Sequence, residues 1–232
     1  MNQITLNLIA IGIFSVVLMI LVGPLVQLSP FIPAVLCGGI LVLAAVDTLA
    51  LQGLLGDLLI DGIAQQDPEY RRRILRHEAG HFLVAHLLKI PVTDYTLSAW
   101  EAFKKGQRGR GGVQFDLNDM LQQAEMGQLA ASAIDTYCTV WMAGIAAEQM
   151  SYERAEGGEG DRRQIRLLWS RLNAPNANCD MKMRWATLQA KTLLERHQES
   201  YEALVERMGN GLPTEECNIY LDNISLVAQG SR

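Results

Sequence analysis

Up to Gly56 the chain carries one charged side chain, Asp47, and no Lys or Arg appears before Arg71. Within this stretch residues 4–22 are nearly continuous Ile, Leu, Val, Met and Phe, and a second apolar run covers residues 31–51. Each is long enough, as a helix of about 20 residues, to cross a ~30 Å hydrocarbon core. Gly23, Pro24, Ser29, Pro30 and Pro33 punctuate a short uncharged link, so the two runs are expected to form a transmembrane helical hairpin. A signal peptide is set aside, because MNQITLN has no basic n-region and no small-residue cleavage site precedes a polar start. Asp47, near the end of the second run, is expected to reach the interface or a partner group.

Residues 54–63, LLGDLLIDGI, place Leu55, Leu58, Leu59 and Ile63 on one helical face and Asp57 and Asp61 on another. That pattern suits an interfacial helix leading the chain out of the bilayer, and an ordinary core helix suits it nearly as well. The first basic cluster, Arg71, Arg72, Arg73 and Arg76, follows the second run, so both termini are expected on the cytoplasmic side. The organisation expected is a membrane segment over residues 1–66, a polar domain over 67–208 and a tail over 209–232.

At the head of the polar domain stands RRRILRHEAGHFLVAHLLKIP, with His77, Glu78 and His81 in the order His-Glu-x-x-His. Apolar Ile74, Leu75, Phe82, Leu83, Val84, Leu87 and Leu88 recur at helical spacing, and Pro91 ends the run. Residues four apart share a helix face, so both imidazoles can bind one tetrahedral Zn²⁺ while Glu78 sits beside them as a general base toward a metal-activated water. This is the chemistry of peptide hydrolysis. Four arginines precede the motif and Lys89 closes an apolar stretch too short to span a bilayer, which places the motif outside the membrane rather than within a span. His86, off the face of His77 and His81, reads as a packed helix residue.

Residues 92–98 (VTDYTLS) and 111–116 (GGVQFD) read as strands joined by the basic, Gly-containing FKKGQRGR. The edge strand beside a zinc helix can bind extended substrate through main-chain hydrogen bonds, which makes Val113, Gln114 and Phe115 candidates for that role. The basic loop can meet anionic headgroups, though solvent suits it better. From Leu117 the pattern is helical, with boundaries at Pro175 and Gly209, and Glu202 and Glu206 read as solvated charges. The fold class expected is therefore mainly α with a small β hairpin behind the transmembrane hairpin. A net charge of −5 argues against a nucleic-acid partner. Cys37, Cys138, Cys179 and Cys217 stand apart, as isolated thiols of a reducing compartment do.

Two imidazoles need a third protein ligand, and Glu125, Asp135, Glu148, Glu153, Glu159 and Asp161 are all available. Spacing alone does not choose among them. The pieces LRHEAGHFLVAHLL, AGIAAEQM at residues 143–150 and GGEGD at residues 157–161 resemble, in that order, the peptidase domain of the FtsH-type membrane-anchored zinc proteases. The resemblance covers roughly residues 76–172. It implies a zincin-like metallopeptidase fold, Zn²⁺ as cofactor, and Asp161 as third ligand, with Glu148 as fallback ligand or as a residue holding an imidazole.

Members of that family carry an ATPase module between membrane and peptidase, whereas this sequence has no GxxxxGK[ST] and no room for one between Ile60 and His77. It is similar to stand-alone relatives of the peptidase domain, which implies a thylakoid or plasma membrane. The function expected is an ATP-independent endopeptidase acting on unfolded or flexible protein segments, as a homo-oligomer (a hexamer in the family) or beside a separate ATPase or membrane complex. The rival expectation is a non-proteolytic zinc-binding adaptor for a membrane protease or complex.

Overall fold

The structure is a computed structural model that describes residues 3–29, 31–107, 111–172 and 175–230. Of the basic loop, residues 108–110 lie outside the described residues, as does Pro30. The chain is mainly helical with one two-stranded antiparallel sheet, and it divides into two compact units.

The first unit comprises Met1–Asp67 and Ser98–Gly111. Helix α1 (Gln3–Val22) runs into a 3₁₀ turn (Gly23–Val26), and α2 (Phe31–Leu49) follows. Leu6–Val26 and Phe31–Leu49, with mean hydropathies of 2.8 and 2.1, are long and apolar enough to cross a membrane. Their described side chains are almost all exposed. Asp47 turns back on the chain, where its two carboxylate oxygens accept the backbone N–H groups of Leu55 and Gly56 at 2.8 and 2.9 Å. These belong to the first turn of α3 (Leu54–Ala64), whose N–H groups have no intrahelical partner, so the carboxylate satisfies them and complements the helix dipole. Helix α3 presents Leu55, Leu59 and Ile63 outward, while Leu58 is half-buried and Asp61 is buried. The expected loop between the strands contains a short helix, α5 (Ala99–Lys104), capped by Ser98.

The second unit comprises Pro68–Leu97 and Gly112–Arg232. Its axis is α7 (Ala131–Ser151), which is apolar on both faces because it lies between two cores. On one side Val140, Ala143, Ala146 and Ala147 join Phe82, Leu83 and Val84 of α4 (Pro68–Leu87) in a cluster shared with Leu204 and Met208 of α10 (Gln198–Gly209). On the other side Cys138, Trp141, Met142 and Ile145 meet α6 (Asn118–Glu125), α8 (Glu159–Arg171) and α9 (Asn176–Arg196). The α4–α7 crossing is close: a Cβ on Gly80 would lie 2.6 Å from the Ala147 Cβ and 2.8 Å from the Ala143 carbonyl oxygen. Small residues at the crossing let the two backbones approach.

Strands β1 (Val92–Thr96) and β2 (Gly112–Phe115) pair antiparallel with Tyr95 opposite Val113, and the register shifts between Val92 and Asp94. The tail is a helix, α11 (Thr214–Gly230), that buries Cys217 and Leu221 in the first cluster and is tied down where the Tyr95 hydroxyl donates to the Leu212 carbonyl. Glu202, expected on a solvated face, instead accepts both guanidinium nitrogens of Arg76 at 2.9 Å. Arg73 is likewise drawn into the fold by its pairing with the buried Glu148. His86 packs toward α11, its Nε2 3.5 Å from Asp222.

Candidate metal centre

On α4 the four-residue spacing of His77 and His81 brings both rings to the α7 side, with centroids 4.8 Å apart. There the two helices run antiparallel, and α7 answers with a ladder at the same spacing, Val140, Gly144 and Glu148. His81 Nδ1 donates to the Val140 carbonyl at 2.8 Å. His77 Nδ1 donates to Glu148 Oε1 at 2.7 Å. With each Nδ1 donating outward, both Nε2 atoms are turned inward, 3.1 Å apart, as the nitrogens left for a metal.

Asp161 completes the group, its Oδ2 3.2 Å from His77 Nε2 and its Oδ1 3.3 Å from His81 Nε2. It sits in the first turn of α8, whose N-cap is Gly158 at φ +88°, a conformation that glycine adopts without strain. Asp161 does not cap its helix. A Cβ on Gly158 would meet Ile145 at 2.2 Å, so the turn rests directly on α7 and aims the first turn of α8 at the imidazoles.

Three donors converging this closely fit a metal ion. Ligands ~2.0–2.1 Å from a tetrahedral zinc stand about 3.3 Å from one another, close to the separations here. Gly144 leaves the necessary space: a Cβ there would fall 2.3 Å from His77 Nε2 and 2.5 Å from His81 Nε2. His77, His81 and Asp161 are the residues that could hold a metal ion among the described residues. The other carboxylates considered lie elsewhere. Asp135 pairs with Lys182, Glu159 pairs with Arg166, and Glu125 and Glu153 are exposed. No protein-family model and no curated protein matches the chain. The chemistry of the site is therefore read from its geometry.

Glu148 does not reach the inner side of the imidazoles. It is buried, and besides His77 it accepts from Arg73 at 3.3 Å and from the Glu156 and Gly157 backbone at 2.8 and 3.2 Å. Burial alone would raise its pKa, but His77 and these donors hold it below the ordinary carboxylate range. It is an anionic acceptor that orients His77. Burial likewise disfavours charge on His77, yet Asp161 and Glu148 outweigh it and raise the pKa to about 10 when no metal is present. The same contacts drive the Asp161 pKa far down, against the cost of burial. A metal must then displace a proton from His77 at neutral pH, so its apparent affinity weakens as pH falls.

Glu78 is beside the pair, half-buried, and its Oε2 accepts the Val113 N–H at 2.8 Å. Val113 thus turns its N–H away from β1 and toward Glu78. Phe115 lies 6.3 Å from His81 between ring centroids, and Gln114 is half-buried opposite Asp94. The residues that sequence reasoning missed are Val140, through its carbonyl, and Gly144. Their four-residue ladder with Glu148 matches the spacing of the two histidines and was the available signal.

The two carboxylates should separate experimentally. Asp161→Ala is expected to abolish zinc retention, because it removes a ligand. Glu148→Ala is expected to keep the ion with affinity reduced about 10–100-fold, because it frees the His77 ring and leaves Arg73 without its buried partner. Titration against a competing chelator measures both, and the reverse order would assign the ligand to Glu148.

Proposed function

We propose that this chain is a membrane-anchored zinc metalloendopeptidase of zincin-like fold, hydrolysing unfolded or flexible protein segments without an ATPase of its own. The observation that carries the reading is the convergence of both Nε2 atoms and the Asp161 carboxylate on one point, with each Nδ1 already occupied and Glu78 alongside. A bound zinc ion supplies Lewis-acid chemistry, lowering the pKa of water and stabilising developing negative charge. Glu78 takes the proton of the attacking water and returns it to the leaving amine. The Val113 N–H holds Oε2 of that carboxylate, so the proton would be taken by Oε1. The edge of β2 at Val113, Gln114 and Phe115 receives extended substrate by strand addition through main-chain groups other than the Val113 N–H that Glu78 holds, a mode that favours unfolded segments.

The two apolar helices anchor the chain in a plasma or thylakoid membrane, with the peptidase unit on the cytoplasmic or stromal side by the basic residues after α2. Helix α4 does not qualify as a span, which disfavours proteolysis within the bilayer. Unfolding of tightly folded substrates falls to a separate ATPase or membrane complex, and the resemblance to FtsH-type proteases supports a homo-oligomer, a hexamer in that family. The full chain, purified in mild detergent and zinc-loaded, is expected to cleave an unstructured protein without ATP, to stop on chelation and to resume on zinc addition. Zinc bound stoichiometrically with no cleavage, alone or in membranes, would favour the non-proteolytic adaptor instead.

A further inference from the structure

Helix α5 stands in the chain between β1 and β2 yet belongs to the compact unit of the two apolar helices. Its alanines face inward, Ala99 and Ala102 being fully buried, while Trp100 and Phe103 are 55% and 45% exposed. Those two rings stack on each other with centroids 5.7 Å apart, and the Lys104 ammonium lies 5.4 Å from the Trp100 ring. Exposed aromatics on a six-residue helix serve no core. Helix α3, against which α5 packs, exposes a stripe of the same character at Leu55, Leu59 and Ile63, with Leu59 67% exposed.

Two carboxylates fasten these pieces to the second span. Asp47, near the end of α2, accepts the Leu55 and Gly56 N–H groups in the first turn of α3. Asp61, buried on the inner side of α3, accepts the Ala99 N–H that opens α5 at 2.7 Å. Each bond satisfies a helix-start donor that water would otherwise have to reach. The span, α3 and α5 are thereby linked in series.

We propose that α3 and α5 together form a lipid-docking surface for the headgroup–acyl boundary of the membrane that α1 and α2 cross. Tryptophan is the residue most suited to that boundary, since its ring is apolar and its N–H polar, and an ammonium beside it reaches the phosphates. An apolar helical stripe starting just after a span suits the same depth. Continuity with the spans selects lipid over a second copy of the chain or an apolar substrate segment.

The inference rests on the spanning role of α1 and α2, and the test separates the two. The full chain and its Trp100→Phe variant are reconstituted in phosphatidylcholine–phosphatidylglycerol vesicles, and resistance to alkaline carbonate extraction reports spanning independently. The Trp100 emission, taken as the difference between the two proteins, is expected to lie at short wavelength. Lipids brominated near the headgroup are expected to quench it, and aqueous acrylamide is not. Quenching by acrylamide and not by bromolipid, in carbonate-resistant protein, would overturn the docking surface while leaving the anchor intact. Protection from both quenchers that is lost on dilution with lipid would assign the surface to a second copy and overturn the proposal equally. Extraction by carbonate would remove the anchor itself and the proposal with it.

Discussion

Gly144→Ala is expected to abolish zinc binding while leaving the metal-free protein folded. In a helix interior the exchange alone favours Ala by about 1 kcal/mol, so any loss must come from the space the new methyl takes. That space is the one beside the ligand atoms, 2.3 and 2.5 Å from the two Nε2 atoms. The rings cannot swing aside freely, because each is pinned through Nδ1, one to Glu148 and one to the Val140 carbonyl. Breaking either bond strands a buried polar group at a cost of about 1–3 kcal/mol. The methyl therefore displaces the ligand atoms from their common point. Thermal unfolding reads the effect directly. Zinc at 100 times its dissociation constant should stabilise the wild type by about 2.7 kcal/mol, and the variant by almost nothing. Wild-type zinc affinity in the variant would show that the imidazoles do not present a metal on this face of α7.

The second large effect belongs to Glu78. Glu78→Gln keeps the size of the side chain and an oxygen able to accept the Val113 N–H, so the position of β2 and the metal ligands should be undisturbed. What the amide lacks is the capacity to take a proton from water and hand it on. General-base catalysis contributes about 10²–10⁴-fold, and cleavage of an unstructured substrate by the zinc-loaded variant should fall by that factor with zinc content unchanged. Retained cleavage would remove Glu78 from the mechanism and with it the metallopeptidase reading. Loss of cleavage together with zinc would instead reveal a structural contribution to the metal centre.

Much of this protein is local and was therefore readable in order along the chain. Two runs of apolar residues interrupted by a single charge, Asp47, dictate two helices long and apolar enough to cross a membrane, so the two N-terminal helices follow from composition alone. The 3.6-residue repeat puts His77 and His81 on one face of α4 whatever surrounds them. Alternation and Gly placement gave the two strands within a residue or two of β1 and β2.

Only the tertiary structure decided which groups come to that face. Glu148 and Asp161 are both carboxylates downstream of small residues. One meets the outer nitrogen of His77 and the other the inner one, because α7 runs antiparallel to α4 while the Gly158 turn folds α8 back over Ile145. The same holds for α5, read as loop because six residues carry too little periodicity, and placed by the Asp61 carboxylate from far away in sequence. Helix α11 and the Arg76–Glu202 pair were likewise beyond reach, since a charge or an amphipathic tail looks alike in sequence whether solvent or a partner faces it. Periodicity determined which side chains share a face of one helix; the approach of α7 and α8 to α4, allowed by glycines with no room for a Cβ, determined what that face can bind.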